Sequence, residues 1–240
     1  MKLPPFEVEI FTGLAAALAR GPWVGALVTL VVYQALGPNA GRRTIKTVAM
    51  LLVVAGVTLI SPYADKIVQF LPFAGDVNSE TIGYRQRLAE VSWRLVQQNP
   101  FFGTPFYMAY MEELRQGQGI IDIVNTYAGV ALSSGLVGLA LFSGFFVVMT
   151  LTCIQTLRTY ASVDPDFSLL GAGLSASLIG ALLIIATTSY YLSIPSILYG
   201  LAGLMAAYVR LGKIQHWADL PEARGPVTQI LEDVPRYSPR

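Results

Sequence analysis

The stretch FSLLGAGLSASLIGALLIIATTSYYLSIPSILYGLAGLMAAYV, residues 167–209, runs for 43 residues without one charged side chain. A full crossing of bilayer hydrocarbon takes roughly 20 apolar residues. The run is too long for one crossing and fits two, with TTSYYLSIP and its Pro195 marking the turn between them. Moving outward, Ile123 to Leu157 is also free of charge and ends at Arg158 and the polar stretch VDPD. That gives a third span, long enough to tilt or to begin above the bilayer. Towards the N-terminus, two further uncharged runs predict spans over about 22–37 and from Thr47 to Ala64, with GPNAGRR between them as a Gly/Pro/Asn turn. Ile10 to Ala19 is uncharged but too short to cross, and residues 6–19 read either as a short, partly inserted helix or as the tail of a span whose beginning is missing. The expected fold is therefore all-α: a polytopic transmembrane bundle of about five full spans plus a short N-terminal helix, with one large helical loop.

Composition agrees with that class. Of 240 residues, 54% are hydrophobic and 13% charged, where a soluble domain carries about 25% charged. A net charge of +1 gives no field for nucleic acid. One cysteine, Cys153, excludes a disulfide within the chain, and one histidine, His216, excludes a histidine-based zinc cluster or triad. No metal and no cofactor is expected. Span interiors hold no Asp, Glu, Lys or Arg, which counts against ion-coupled transport.

The Lys and Arg residues orient the chain. Arg42, Arg43 and Lys46 fall in one short loop, and Arg158, Arg210, Lys213 and Arg224 fall on the same side by span counting. That side is predicted to be cytoplasmic. The organisation follows: residues 1–64 hold the N-terminal membrane helices, 65–125 an outward loop with amphipathic helices, 126–212 the C-terminal membrane helices, and 213–240 a polar, Pro-rich cytoplasmic tail expected to be mobile.

The outward loop carries nearly all the chemistry-bearing groups. Within it Thr81 to Gln98 is predicted helical, because Tyr84, Leu88, Val91 and Leu95 recur at helical spacing. Asn99-Pro100 stops it. An amphipathic helix on the membrane surface is one reading. Arg85 fits it poorly: it stands apart from the other charges, flanked by Ala89, Ser92 and Val96, in a first turn where the helix dipole disfavours a cation. Either a bound anion or pairing with Glu80 or Asp76 accounts for it. PFFG (100–103) is read as a turn and Pro105–Gln116 as a short helix. Asp122, Asn125, Thr126, Gly129 and Ser133 form a polar, small stripe entering the third span. Asp122 at that mouth is a functional candidate, or it simply lies in water and caps the helix.

Three motifs stand in order: ARGPWVGALV (19–28), Arg85 followed by PFFG, and VNTYAGVALSSGLVGLALF (124–142). In that order they resemble the O-antigen ligase and polymerase family of bacterial membrane glycosyltransferases, over about Ala19 to Tyr208. The resemblance marks the chain as the C-terminal part of such a protein. It implies a bacterial inner-membrane location, with the large loop periplasmic. It also implies transfer of a glycan from an undecaprenyl-pyrophosphate carrier to an acceptor hydroxyl, on lipid A core or a growing glycan. Arg20 and Arg85 would hold the pyrophosphate. Asn125 and Tyr127 match the family's neighbours of a loop histidine, whose own place is taken by Val124. The family glutamate is replaced by Ser133. Asp122 is then the candidate base, provided the span starts irregularly enough to bring it where the histidine would stand. The alternative is a non-enzymatic membrane protein, a transporter part or assembly subunit, or an inactive relative. Membrane lipids are partners in either case.

Overall fold

The computed structural model describes residues 20–37, 40–60, 79–115, 119–188 and 193–219, and every regular element among them is helical. Helix α1 is Arg20–Leu36, α2 is Ala40–Ile60, α3 is Ser79–Gln98, α4 is Thr126–Tyr160, α5 is Pro165–Ile184 and α6 is Ser193–Asp219. A 3-10 helix, Tyr107–Leu114, lies between α3 and α4. The expected short helix over residues 6–19 lies outside the described residues, as does the tail from 220 onward.

Among the described residues three helices are long and apolar enough to cross a membrane: Thr126–Tyr160, Pro165–Ile184 and Ile194–Ile214. The remaining two of the five expected spans rest on α1, apolar but 17 residues long, and on α2. Arg42, Arg43 and Lys46 do not occupy a loop, as the turn reading expected, but the first two turns of α2. Alanine at position 40 and the apolar run behind it carry the helix through them. At the other end α6 does not stop at Arg210 but continues to Asp219. The residues LGKIQHWAD contain no proline or second glycine to end it, so the polar stretch expected to be mobile is helical as far as Asp219.

Helix α1 runs antiparallel against α5 along a seam of small residues. Gly37 faces Leu169, Gly173 faces Tyr33, Gly180 faces Gly25 and Thr29, and Gly21 faces Thr187. A methyl on Gly180 would overlap Thr29 Oγ1 and stand 3.0 Å from the Gly25 carbonyl. Glycine and threonine here let two backbones approach, the packing that membrane helices use where burial from water gives no drive. Thr29 returns its own hydroxyl to the Gly25 carbonyl at 2.9 Å, so that donor is paired inside its own helix.

Helices α4, α5 and α6 share one core built on Phe146, Leu157, Leu178, Leu198 and Met205. Their connections are tight. Asp164 caps α5 by accepting from the Phe167 N–H at 3.0 Å, with Pro165 at the first helical position. The Ser168 hydroxyl donates to the Leu157 carbonyl at 3.0 Å, and Tyr160 donates to the Gly212 carbonyl. The starts of α2 and α5 and the ends of α4 and α6 thus gather at one end of the bundle. Arg42, Arg43, Arg158, Arg210 and Lys213 share that end, as the span count required.

A second core lies at the opposite end. Leu88, Val91, Leu95 and Val96 of α3 pack on Met111 and Leu114 of the 3-10 helix and on Ala131 and Leu132 of α4. The apolar face of α3 read from its periodicity is real, but protein covers it rather than lipid.

Candidate functional site

The link between the loop and the third span is made by two glycines. Gly135 sits inside α4 with φ 68° and ψ −171°, a conformation closed to residues with a Cβ, and it breaks the helix there. The PFFG turn fills the break. The Leu136 N–H, which a regular helix would direct at Leu132, donates instead to the Pro100 carbonyl at 2.8 Å. The freed Leu132 carbonyl accepts from the Thr104 N–H at 2.8 Å, and the Val137 N–H donates to Phe101 at 3.3 Å. Gly103, at φ 63°, completes the fit: a methyl on it would meet the Leu132 carbonyl at 2.5 Å and the Gly135 nitrogen at 2.6 Å. A methyl on Gly135 would overlap the Phe101 backbone. The Leu136 and Val137 N–H groups and the Leu132 carbonyl, all released by the break, thus take new partners from the turn, as a helix at membrane depth demands.

A second tie lies one end of α3 away. The Tyr84 hydroxyl donates to the Asp122 carbonyl at 2.9 Å and accepts from the Asp122 N–H at 3.1 Å. One phenol thus holds both backbone groups of Asp122. Residues 119–125 are not helical, so the irregular start to α4 that Asp122 needs is present. Asp122 does not cap α4. Asn125 does, its side-chain oxygen accepting from the Ala128 N–H at 3.2 Å.

The first turn of α4 is fastened to the last turn of α5. The Thr126 N–H donates to the Ile185 carbonyl at 3.0 Å and its hydroxyl to the Thr188 carbonyl at 3.0 Å. Tyr127 donates to the Leu182 carbonyl at 2.8 Å. These bonds satisfy helix-end carbonyls that have no partner of their own. Gly21 meets Thr187 in the same place, so Arg20, the residue before it and the first of α1, begins its helix at this end too. The structure therefore brings the α1 start, Arg85's helix, Asp122 and the α5 end to one end of the bundle.

Between α3 and α4 lies a groove of about 270 Å³, lined by Ala89, Ser92 and Trp93 on one side and Tyr127, Ala131 and Leu139 on the other. Arg85 is exposed and lies one helical turn before Ala89, on the same face. The groove is apolar except for Ser92, which is 6% exposed and whose hydroxyl has no hydrogen-bond partner among the described residues. Further along, the Arg115 guanidinium bonds Glu112 through both carboxylate oxygens, at 2.7 and 2.6 Å, and holds that exposed carboxyl below its usual range. Burial pushes the Tyr107 phenol up. Among the described residues no cluster of three metal-ligating side chains occurs. Two contributors were missed by sequence reasoning. Tyr84 read only as part of an apolar face, although a tyrosine there carries a hydroxyl that burial obliges to find a partner. Gly135 read as one small residue among several.

Fold and site define a helical membrane protein whose extramembrane loop is locked onto the mouth of a span. The family model for O-antigen ligase matches residues 8–143, more than half the chain, and the chain belongs to that family. The match covers the N-terminal part of this chain and both partners of the glycine interlock. It stops short of Tyr208, to which the motif resemblance was expected to run, and it does not support reading the chain as a C-terminal part. No curated protein matches the chain.

Proposed function

We propose that this chain transfers a glycan from undecaprenyl pyrophosphate to an acceptor hydroxyl at the membrane face carrying α3, the periplasmic face of a bacterial inner membrane. The observation that carries the reading is the Tyr84 hydroxyl on the Asp122 backbone. It makes the arginine-bearing turn of α3 and the acidic mouth of α4 one unit, beside an apolar groove. Membership of the O-antigen ligase family supports a transferase of this kind.

In this reading the diphosphate lies at Arg85, with Arg20 approaching from the start of α1. The polyprenyl chain follows the apolar groove past Ala89 and Ser92. The acceptor oxygen attacks the anomeric carbon as the bond from that carbon to the diphosphate oxygen breaks, and the electron pair leaves with the diphosphate. Guanidinium groups stabilise that growing charge because they bind it in two-pronged fashion and stay protonated throughout. The Asp122 carboxylate takes the acceptor's proton. Asn125 and Tyr127 serve by fixing the start of α4 rather than by touching the reacting atoms.

The test is transfer by the full chain in reconstituted membranes, with an undecaprenyl-pyrophosphate glycan and either lipid A core or free glycan as acceptor. Transfer should collapse in Asp122→Ala with the protein still folded. Undiminished transfer by that variant removes Asp122 as the base. No transfer by the unaltered chain favours the non-enzymatic alternative.

A further inference from the structure

The PFFG turn presents a surface that the transfer reaction does not use. Phe101, Phe102 and Phe106 are 68%, 78% and 72% exposed. From Asn99 to Met111 the chain carries no charge. Three bare phenylalanines on an extramembrane loop need a cover.

The depth of the turn can be worked out from its bonds to α4. Arg158, exposed in the last turn of α4, marks the opposite edge of the hydrocarbon. At 1.5 Å rise per residue, a hydrocarbon thickness of about 30 Å takes roughly 20 residues. Counting back from Leu157 reaches Gly138, and a tilt of about 20° moves the edge only to Leu136 or Val137. Those are the residues whose N–H groups bond Pro100 and Phe101. The turn is therefore held at the hydrocarbon boundary. Around it α4 exposes Leu136, Val137 and Leu141, the start of its lipid-facing surface, and the phenylalanines continue that surface outward. The turn's backbone is also prepared for such a place: Gly103 N–H, Thr104 N–H and the Pro100 and Phe101 carbonyls are all paired within the protein.

We infer that Phe101, Phe102 and Phe106 insert into the lipid leaflet on the α3 side, so that the loop is anchored in the bilayer by its turn and not by the apolar face of α3. Aromatic side chains favour this boundary. The anchor sets the height at which α3 and its arginine stand above the lipid. It holds whether or not the chain transfers a glycan.

The experiment places a nitroxide at Phe102→Cys and, separately, at Phe106→Cys in the full chain in phospholipid bilayers. Collision with oxygen, which partitions into lipid, is compared with collision with a water-soluble nickel chelate. Gln86→Cys, on the exposed side of α3, supplies the aqueous reference, and Leu141→Cys the lipid reference. The ratio of oxygen to nickel collisions at 102 and 106 should be several-fold above that at 86 and approach that at 141. A ratio equal to that at 86 places the turn in water and overturns the inference. Weak collision with both reagents shows the turn covered by protein, a further segment or a second copy, and overturns it equally. Position 106 lies outside the glycine interlock, so a misfolded label at 102 does not decide the outcome.

Discussion

Two close approaches of backbone, the α1–α5 seam and the junction of the PFFG turn with Gly135, are built on opposite principles. In the α1–α5 seam both helices stay regular, and glycine and threonine at helical spacing simply thin the wall between them. At the PFFG turn and Gly135 the helix is broken, two residues take positive φ, and three backbone hydrogen bonds cross from loop to span. A seam of regular helices absorbs an added methyl by moving a side chain. An interlock of backbone has nothing to move. That difference matters because the seam only brackets the bundle, whereas the interlock, with Tyr84, fixes the loop on which Arg85 stands.

The sharpest way to break the comparison is Gly135→Ala. A side chain in this conformation and an overlap with Phe101 together cost on the order of 3–5 kcal/mol, and the variant should melt far below the parent in detergent. A melting temperature close to the parent's would mean that the break in α4 is optional. Tyr84→Phe leaves the Asp122 N–H and carbonyl without their shared partner, a loss of about 1–3 kcal/mol. Amide exchange at Asp122 and its neighbours should rise while α5 and α6 stay protected. Gly180→Ala meets a rotatable Thr29 side chain first and should cost about 1 kcal/mol. The double variant Gly180→Ala with Thr29→Ala should recover most of it, and no comparable rescue should exist for Gly135→Ala. Gly144→Ala, with nothing within 4 Å of the new methyl, should change stability by less than about 1 kcal/mol, in the direction of helix propensity. Smallest of all is the exposed Glu112–Arg115 pair. Arg115 lowers the Glu112 pKa from its usual 4.5, so any stability the pair adds is already complete above that value and is lost only as pH falls below it. The melting difference between Glu112→Gln and the parent should therefore be small and constant between pH 6 and 8, and should close only as pH falls below about 4.5.

How far each region could be read from sequence follows the same division. Charge-free runs exposed the spans, and the spacing of Leu88, Val91 and Leu95 exposed α3, because burial acts on side chains that the sequence names. The odd position of Arg85 lies on the face it shares with Ala89 and Ser92, which line the groove. Gly135 did not announce itself: its role lies in a dihedral angle and in a partner more than thirty residues away. The cap at α4 was misplaced for a similar reason. Both Asp122 and Asn125 have the chemistry of a cap, and only the backbone decides that the helix starts after Asn125. The cations of α2 and the end of α6 were placed wrongly because charged residues are tolerated in helix ends that emerge into water.

The central claim is that Arg85, and not the charge of α3 in general, serves the site. Arg87 is exposed on the same helix, bonded only to the Gly83 carbonyl of its own preceding turn among the described residues, at 3.4 Å, and it makes the matched control. The decisive measurement is transfer from undecaprenyl-pyrophosphate glycan by Arg85→Ala beside Arg87→Ala, in the same membranes and with folded protein quantified for each. The account predicts that Arg85→Ala loses at least about tenfold, a barrier change near 1.4 kcal/mol or more, while Arg87→Ala stays within about twofold of the parent. Equal losses in the two variants, or none in Arg85→Ala, would contradict it.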